Sequence, residues 1–114
     1  MASSPKMKAL RIYLDEKWKC KNQPLYREIV ERLRQEKIAG ATVFRAVEGF
    51  GSSFKIHEAH ILTMSENLPL VVEVIDRAPQ VKRAWDLLQP ILPEHCLATV
   101  QEIQVLRCSS SQKR

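Results

Sequence analysis

Cysteine is scarce in this sequence, and long apolar runs are missing. The 114 residues include three cysteines, Cys20, Cys96 and Cys108, an odd number without Cys-x-x-Cys spacing, so we expect no disulfide framework. No apolar run approaches the ~20 residues that a membrane-spanning helix needs, which argues against an integral membrane protein. Residues 1–8 contain no hydrophobic signal segment, and we therefore expect a cytoplasmic protein.

The motifs of common enzymes are also absent from the sequence. There is no nucleophile elbow, no phosphate-binding P-loop, no zinc-protease helix and no pair of carboxylates at a recognisable spacing. Asp15 and Glu16 are adjacent, which is typical of solvated loop charges. The sequence therefore predicts a protein that is not an enzyme, with no catalytic residue and no cofactor.

Positive charge is concentrated in one part of the chain. Residues 1–40 hold ten basic and five acidic residues, which accounts for the whole net charge of +5. Within this part, the segment Lys17-Trp18-Lys19-Cys20-Lys21 interleaves cations with an aromatic ring, as single-stranded nucleic-acid binders do. A solvated loop with Trp18 folded onto the core is the interpretation that we favour. Nucleic acid is thus an alternative partner and not the expected one.

Hydrophobic periodicity predicts strands and helices in one domain over residues 8–107, between frayed tails at 1–7 and 108–114. The first half comprises a strand over 10–14, a helix from Pro24 that Asn22 caps and that ends near Gly40, a strand over 41–47 and a further strand over 55–64. The second half comprises a strand over 70–75, a helix that Asp76 caps with Pro79 in its first turn, and a strand over 97–106.

This order of elements predicts an α+β fold of the ferredoxin-like type, a split β-α-β sandwich with an antiparallel sheet and an extra strand or long loop after the second strand. Both helices then cover one face of the sheet. The strand over 70–75 is apolar on both sides, because Val71 and Ile75 point away from Leu70, Val72 and Val74. Exposing each such side chain forfeits roughly 1.5–3 kcal/mol, so we expect a homo-oligomer packed sheet to sheet.

Several motifs resemble known families. Gly40-Ala41-Thr42-Val43, followed by Val47-Glu48-Gly49-Phe50-Gly51, is similar to the second strand and loop entrance of PII signalling proteins. From Leu10 to Val105 the chain resembles more closely a PII-like family known as domain of unknown function 190. The motifs that carry this second resemblance are Pro24-Leu25-Tyr26, Ala41-Thr42-Val43-Phe44-Arg45, Glu48-Gly49-Phe50-Gly51, Ile56-His57 and Ser65-Glu66-Asn67-Leu68-Pro69.

The resemblance implies a PII-like homotrimer that acts as a regulatory protein or sensor. A small anionic ligand, such as an adenine nucleotide, would bind in clefts between subunits, and a long loop after the second strand would report occupancy to a partner, by analogy a membrane transporter or channel. The residues implied in the adenine pocket are Thr42, Glu73 and Ile75. Those implied in a turn close to the ligand, where glycine admits a positive φ, are Gly49, Phe50 and Gly51.

The chain departs from the family patterns at two places. Ala46 stands where the closer family usually has glycine. PII proteins hold phosphates with a glycine-rich basic loop before the last strand, whereas residues 92–97 here contain no glycine and one acidic residue, Glu94. The cations for a phosphate must then come from elsewhere in the chain. The candidates are Lys17, Lys19, Lys21, Arg45 and Arg77.

For three features the sequence leaves two interpretations open. The turn at 49–51 is either a simple strand exit or a ligand contact. Glu73, in an apolar strand, is either an ion-paired interface residue or a hydrogen-bond acceptor for a ligand's amino group. A metal-handling trimer would need His57 with His60, or His95 with Cys96, as ligands. Their spacing is not that of a structural zinc site, and we predict no metal site.

Overall fold

The computed structural model describes residues 5–50 and 68–108. Its strands are β1 (Met7–Asp15), β2 (Lys19–Cys20), β3 (Gln23–Pro24), β4 (Ala41–Arg45), β5 (Pro69–Arg77) and β6 (Ala98–Ile103), and its helices are α1 (Leu25–Gln35) and α2 (Ala78–Leu88). Four strands form an antiparallel sheet in the order β4-β5-β1-β6, and β2 pairs with β3. This topology confirms the predicted ferredoxin-like sandwich.

One face of the sheet carries the hydrophobic core. Alternate residues of β1 and β5 are buried there, and both helices add an apolar stripe with a helical period, as the sequence predicts. The buried residues of this core are Leu10, Ile12, Leu14, Leu70, Val72 and Val74 on the strands and Leu25, Ile29, Leu33, Val81, Ala84 and Leu88 on the helices. The intervening strand residues face the other way, where neither helix packs. Neither helix has the length and apolar character needed to cross a membrane.

Helix α1 begins without the predicted cap. Pro24 occupies the N-cap position and makes no side-chain hydrogen bond, while Asn22 is exposed in the turn between β2 and β3. The prediction of Asn22 as a cap was wrong because the short β2–β3 pair places Pro24 directly before the helix. Gln23 stabilises this end instead, since its Nε2 donates to Oε1 of Glu28 at 2.6 Å and to Oε1 of Glu31 at 3.3 Å.

Helix α1 also ends earlier than predicted, at Gln35, well before Gly40. Lys37 takes the left-handed conformation with φ 63°. Its N–H donates to the carbonyl of Arg34 at 3.0 Å, and the N–H of Ile38 donates to the carbonyl of Leu33 at 3.1 Å. This is the Schellman pattern, in which the left-handed residue is usually glycine. The signal that points to Gly40 is therefore misleading, because a lysine terminates the helix.

Asp76 has a different role from the predicted one. Helix α2 begins at Ala78 with Arg77 at its N-cap and no side-chain cap, and Pro79 lies in the first turn as predicted. The Asp76 side chain is buried, and its Oδ2 accepts the N–H of Ala39 at 2.9 Å while its Oδ1 accepts the N–H of Arg77 at 2.7 Å. The cap prediction was wrong because the side chain points into the sandwich, where it holds the loop before β4.

The strand bounds differ from the predictions mainly at their ends. Strand β4 ends at Arg45, two residues early, and β6 spans fewer residues than the predicted 97–106. Strand β5 is longer than predicted and reaches Arg77, because it pairs with β1 over its whole length. The predicted further strand over 55–64 lies outside the described residues.

Candidate functional site

A row of polar side chains crosses the sheet face that the helices leave uncovered. Thr42 of β4 is the register partner of Glu73 of β5, and Glu73 is the partner of Arg11 of β1. Direct cross-strand partners point to the same face of a sheet. Ile75 lies two residues beyond Glu73 and therefore shares that face. We call this surface, which includes Arg11, Thr42, Glu73 and Ile75, the open face.

Glu73 forms an ion pair within the open face. Nε of Arg11 donates to Oε2 of Glu73 at 2.9 Å, and Nη1 of Arg11 donates to Oε1 of Gln101 at 3.3 Å. The Glu73 side chain is only 17% exposed and that of Arg11 39% exposed. Among the described residues, no donor reaches Oε1 of Glu73. The structure thus shows the ion pair that one interpretation expected, and the carboxylate keeps an oxygen for a further hydrogen bond.

The turn residues lie at one end of the sheet, where β1 and β4 end and β5 begins; we call it the turn end. The N–H of Ala46 donates to the carbonyl of Pro69 at 2.9 Å and prolongs the β4–β5 pairing. A Cβ atom on Gly49 would lie 3.2 Å from Cγ of Pro69, and neither described glycine has a positive φ. Close approach, and not the expected left-handed φ, is therefore what favours glycine at 49.

Two other predicted ligand residues at the turn end have contrasting surroundings. Phe50 is 83% exposed. Arg45 forms an ion pair with Glu16, and the alternation of β4 places it on the face opposite Thr42. Gly51 lies outside the described residues. The turn end thus combines an exposed aromatic ring with a paired cation.

The basic segment Lys17-Trp18-Lys19-Cys20-Lys21 also lies at the turn end, directly after β1. Trp18 packs against the hydrophobic core, its N–H donates to the carbonyl of Asp15 at 3.0 Å, and its carbonyl accepts the N–H of Leu25 at 2.8 Å. All three lysines are exposed. The interpretation with Trp18 folded onto the core is confirmed, and the ring that a stacked base would need is thereby occupied.

Arg77 lies far from these lysines. It is eight residues from Pro69 along β5, which is roughly 26 Å at the rise of a strand, so one phosphate cannot touch both ends of the sheet in a single chain. Arg77 instead lines a groove of about 1250 Å³ together with Lys6, Lys37 and Arg107. We call this cavity the basic groove. Ile75 lines it too and connects it to the open face.

Sequence reasoning missed Arg11 and the environment of Cys96. The alternation in β1 already places Arg11 opposite the buried leucines, but its pairing with Glu73 depends on strand register. Burial raises the pKa of the Cys96 thiol to about 11, and its Sγ lies 3.5 Å from the carbonyl oxygen of Tyr13. No three potential metal ligands converge within residues 5–50 and 68–108, and His57 and His60 lie outside that part.

Comparison with known sequences identifies a family match. The model of the family DUF190, described as "Uncharacterized ACR, COG1993", matches residues 7–105. The UPF0166 protein of Aquifex aeolicus (strain VF5) is 34% identical over 102 residues, which cover 89% of this chain and 94% of that relative. The match therefore includes every strand and helix described above.

Solved structures share the fold at low sequence identity. CPII, a nitrogen regulatory PII-like protein from Thiomonas intermedia K12, bound to ADP and bicarbonate, has a TM-score of 0.63 and 21% identity, covering 90% of both chains. The GlnK–ATP complex of B. subtilis has a TM-score of 0.51 and 17% identity, covering 88% of this chain and 86% of that one. The fold of this chain is thus PII-like.

Proposed function

The chain belongs to the DUF190 family, and from this membership and its PII-like fold we propose that it is a regulatory protein that binds a small anionic ligand, an adenine nucleotide, in clefts between the subunits of a homotrimer. The observation that carries the proposal is the open face, where Thr42, Glu73 and Ile75 meet beside an ion pair. A second copy packed on this face would cover its apolar residues and form the cleft.

The open face supplies the contacts that an adenine base needs. Oε1 of Glu73 accepts the exocyclic amino group, because Arg11 occupies only Oε2. Ile75 provides an apolar contact for the ring, and the hydroxyl of Thr42 lies across the strand pair from Glu73. Arg11 acts as a positioning residue, since its hydrogen bond to Oε2 fixes the orientation of the carboxylate.

The turn end supplies the contacts for the phosphates. The backbone N–H groups of Gly49 and Phe50 approach the ligand closely because Gly49 has no side chain. The exposed lysines of the segment 17–21 provide the cations, in place of the glycine-rich basic loop of PII proteins, whereas Arg45 is paired with Glu16 on the opposite face. The structures of CPII with ADP and of GlnK with ATP support the ligand class as neighbours in fold. Arg77 has no part in this phosphate site.

Nucleotide binding is tested by thermal denaturation with ATP, ADP and AMP. A ligand at a hundred times its Kd stabilises the folded state by about 2.7 kcal/mol, so the melting temperature rises by several degrees. Glu73→Gln replaces one carboxylate oxygen with an amide NH2 group, which donates a hydrogen bond instead of accepting one, and it should reduce this rise in melting temperature. Glu102→Gln is the matched control, since it makes the same change on β6 away from the open face. If no nucleotide raises the melting temperature, the ligand proposal is wrong and the fold is unaffected.

The inter-subunit location is tested by native mass spectrometry and by mixing variants. The native spectrum should show trimers, and any co-purified ligand appears in the same measurement. Phe50→Ala and Glu73→Gln should each weaken nucleotide binding. If Phe50 and Glu73 reach one cleft from different subunits, trimers assembled from an equal mixture of the two variants should have both residues unchanged in about a quarter of their clefts. A monomer at micromolar concentration, or mixed trimers without any recovered binding, contradicts a shared cleft.

We also propose that the ligand shifts the population of states of the segment that follows Gly49, and that this segment engages a partner, by analogy a membrane transporter or channel. The test is limited proteolysis of the trimer with and without ADP. Cleavage rates within the loop near residues 49–64 should change on ligand binding, whereas rates elsewhere should not. Equal rates in this segment would contradict the signalling mechanism.

A further inference from the structure

The basic groove brings together cations from four separate parts of the chain. Lys6 precedes β1, Lys37 follows α1, Arg77 ends β5 and Arg107 follows β6. These four are distant in sequence, so their convergence comes from the fold. The groove lies at the end of the sheet opposite the turn end, and the phosphate contacts proposed above do not use it.

Positive charge dominates the basic groove. The carboxylates among its described lining residues are those of Asp76 and Glu102. The Asp76 carboxylate is buried and accepts two backbone N–H groups, and Oε2 of Glu102 lies 4.0 Å from Nζ of Lys6. Within the described part of the chain, no carboxylate is within ion-pair distance of Lys37, Arg77 or Arg107. Three cations therefore remain for a ligand, and the groove attracts anions.

Lys37 occupies a backbone conformation that favours glycine. With φ 63° it is the left-handed residue at the end of α1, where a side chain costs roughly 1 kcal/mol. Its side chain is exposed and adds nothing to the core. The fold therefore tolerates a strained lysine at a position where glycine would be more stable, and that lysine lines the basic groove.

We propose that the basic groove binds an extended acidic peptide segment of a partner protein, with Lys37 and Arg77 as its principal contacts. The groove is larger than the roughly 300–1000 Å³ of most small-molecule sites. Its walls also carry the apolar side chains of Met7, Ile103 and Val105, which suit aliphatic residues between the carboxylates. This site adjoins the nucleotide cleft at Ile75, but its charged contacts lie at the end of the sheet opposite the proposed phosphate contacts, and its test is made without nucleotide.

The test is fluorescence anisotropy with a short labelled peptide of alternating Glu and Leu. The peptide should bind the full chain, more weakly at high salt, and Lys37→Glu and Arg77→Glu should each raise the Kd by about tenfold or more. Lys19→Glu is the matched control, because it makes the same charge change at the turn end and should leave the Kd within about twofold. Absent binding, or an equal loss with Lys19→Glu, overturns the proposal.

Lys37→Gly separates ligand contact from folding. It should raise the melting temperature by roughly 2–6 °C, because it removes the left-handed strain, and weaken peptide binding several-fold. If the stabilised variant binds the peptide with the same Kd as the parent chain does, Lys37 does not contact the peptide and its proposed role is wrong. If a single-stranded oligonucleotide binds as tightly as the peptide and loses affinity with the same variants, the assignment to an acidic peptide is wrong.

Discussion

Arg11 and Glu73 are joined across β1 and β5 by a 2.9 Å hydrogen bond in the middle of the sheet face that neither α1 nor α2 covers. An ion pair on an exposed surface contributes about 0.2–1 kcal/mol, but removing one partner of a buried pair costs about 3–5 kcal/mol. The energy of this pair therefore reports whether a second copy covers the open face.

We predict that Arg11→Met lowers the free energy of unfolding of the assembled protein by about 3–5 kcal/mol, because the charge of Glu73 is then buried alone. The double variant with Glu73→Leu should recover part of this loss. The measurement is a double-mutant cycle by chemical denaturation at fixed protein concentration. A coupling energy below about 1 kcal/mol would place the pair in solvent and contradict assembly through this face.

The buried carboxylate of Asp76 accepts two backbone hydrogen bonds. Asp76→Ala should destabilise the fold by about 1–3 kcal/mol, because the N–H groups of Ala39 and Arg77 lose their acceptor. Asp76→Asn keeps one carbonyl oxygen and should cost less. Amide hydrogen exchange at Ala39 distinguishes this role from a general loss of packing, since exchange there should accelerate more than in the centre of β1. Unchanged protection at Ala39 would show that the hydrogen bond does not hold the loop.

Periodicity in the sequence was sufficient to predict the order of the two helices and of the four strands of the main sheet, because the core depends on which face each apolar residue occupies. It did not predict the short β2–β3 pair, which lies in a segment that the sequence indicates as a polar loop. The residue types that usually cap or terminate helices were less informative about where the helices begin and end. Asn22, Gly40 and Asp76 are all residue types that often end or cap helices, yet Pro24, Lys37 and Arg77 hold those positions. A tertiary contact decided the case of Asp76, whose buried carboxylate accepts the N–H of Ala39 in the loop before β4 and makes no side-chain cap of α2.

The candidate site could be predicted only in part. The family resemblance places Thr42, Glu73 and Ile75 together, and the strand register agrees with that placement. Arg11 could not be assigned to Glu73 from the sequence, because 62 positions separate them and only the β1–β5 register aligns them. The grouping of Arg77 with Lys37 likewise depends on where β5 and α1 end.

Cys96 gives a prediction on thiol reactivity. Its pKa is raised from 9.0 to about 11 by burial, so near neutral pH it has roughly a hundredfold less thiolate than an ordinary cysteine. Alkylation followed by mass spectrometry should therefore modify the exposed Cys108 well before Cys96. The rates should become similar in denaturant. Equal rates in the native protein would mean that the thiol is not buried as described.

The same raised pKa has a consequence for stability. The folded state holds the thiol proton more tightly than the unfolded chain, so this contribution is present below pH 9 and is lost as the pH rises toward about 11. Cys96→Ala should accordingly lose less stability over this range than the parent chain does. Cys108→Ala serves as the control, since that side chain is exposed, and should follow the parent chain.

Glu28 provides the opposite pH dependence at the start of α1. The pKa of its carboxyl is lowered, first by the hydrogen bond from Arg32 and then by that from Gln23. A lowered pKa means that the stabilisation is present above about pH 4.5 and is lost as the pH falls below that value. Glu28→Gln should therefore lower the melting temperature at pH 7 by more than at pH 3. Glu48→Gln, at an exposed position, is the control and should show no such difference. An equal deficit at both pH values would mean that the effect of Glu28 comes from its shape and not from its charge.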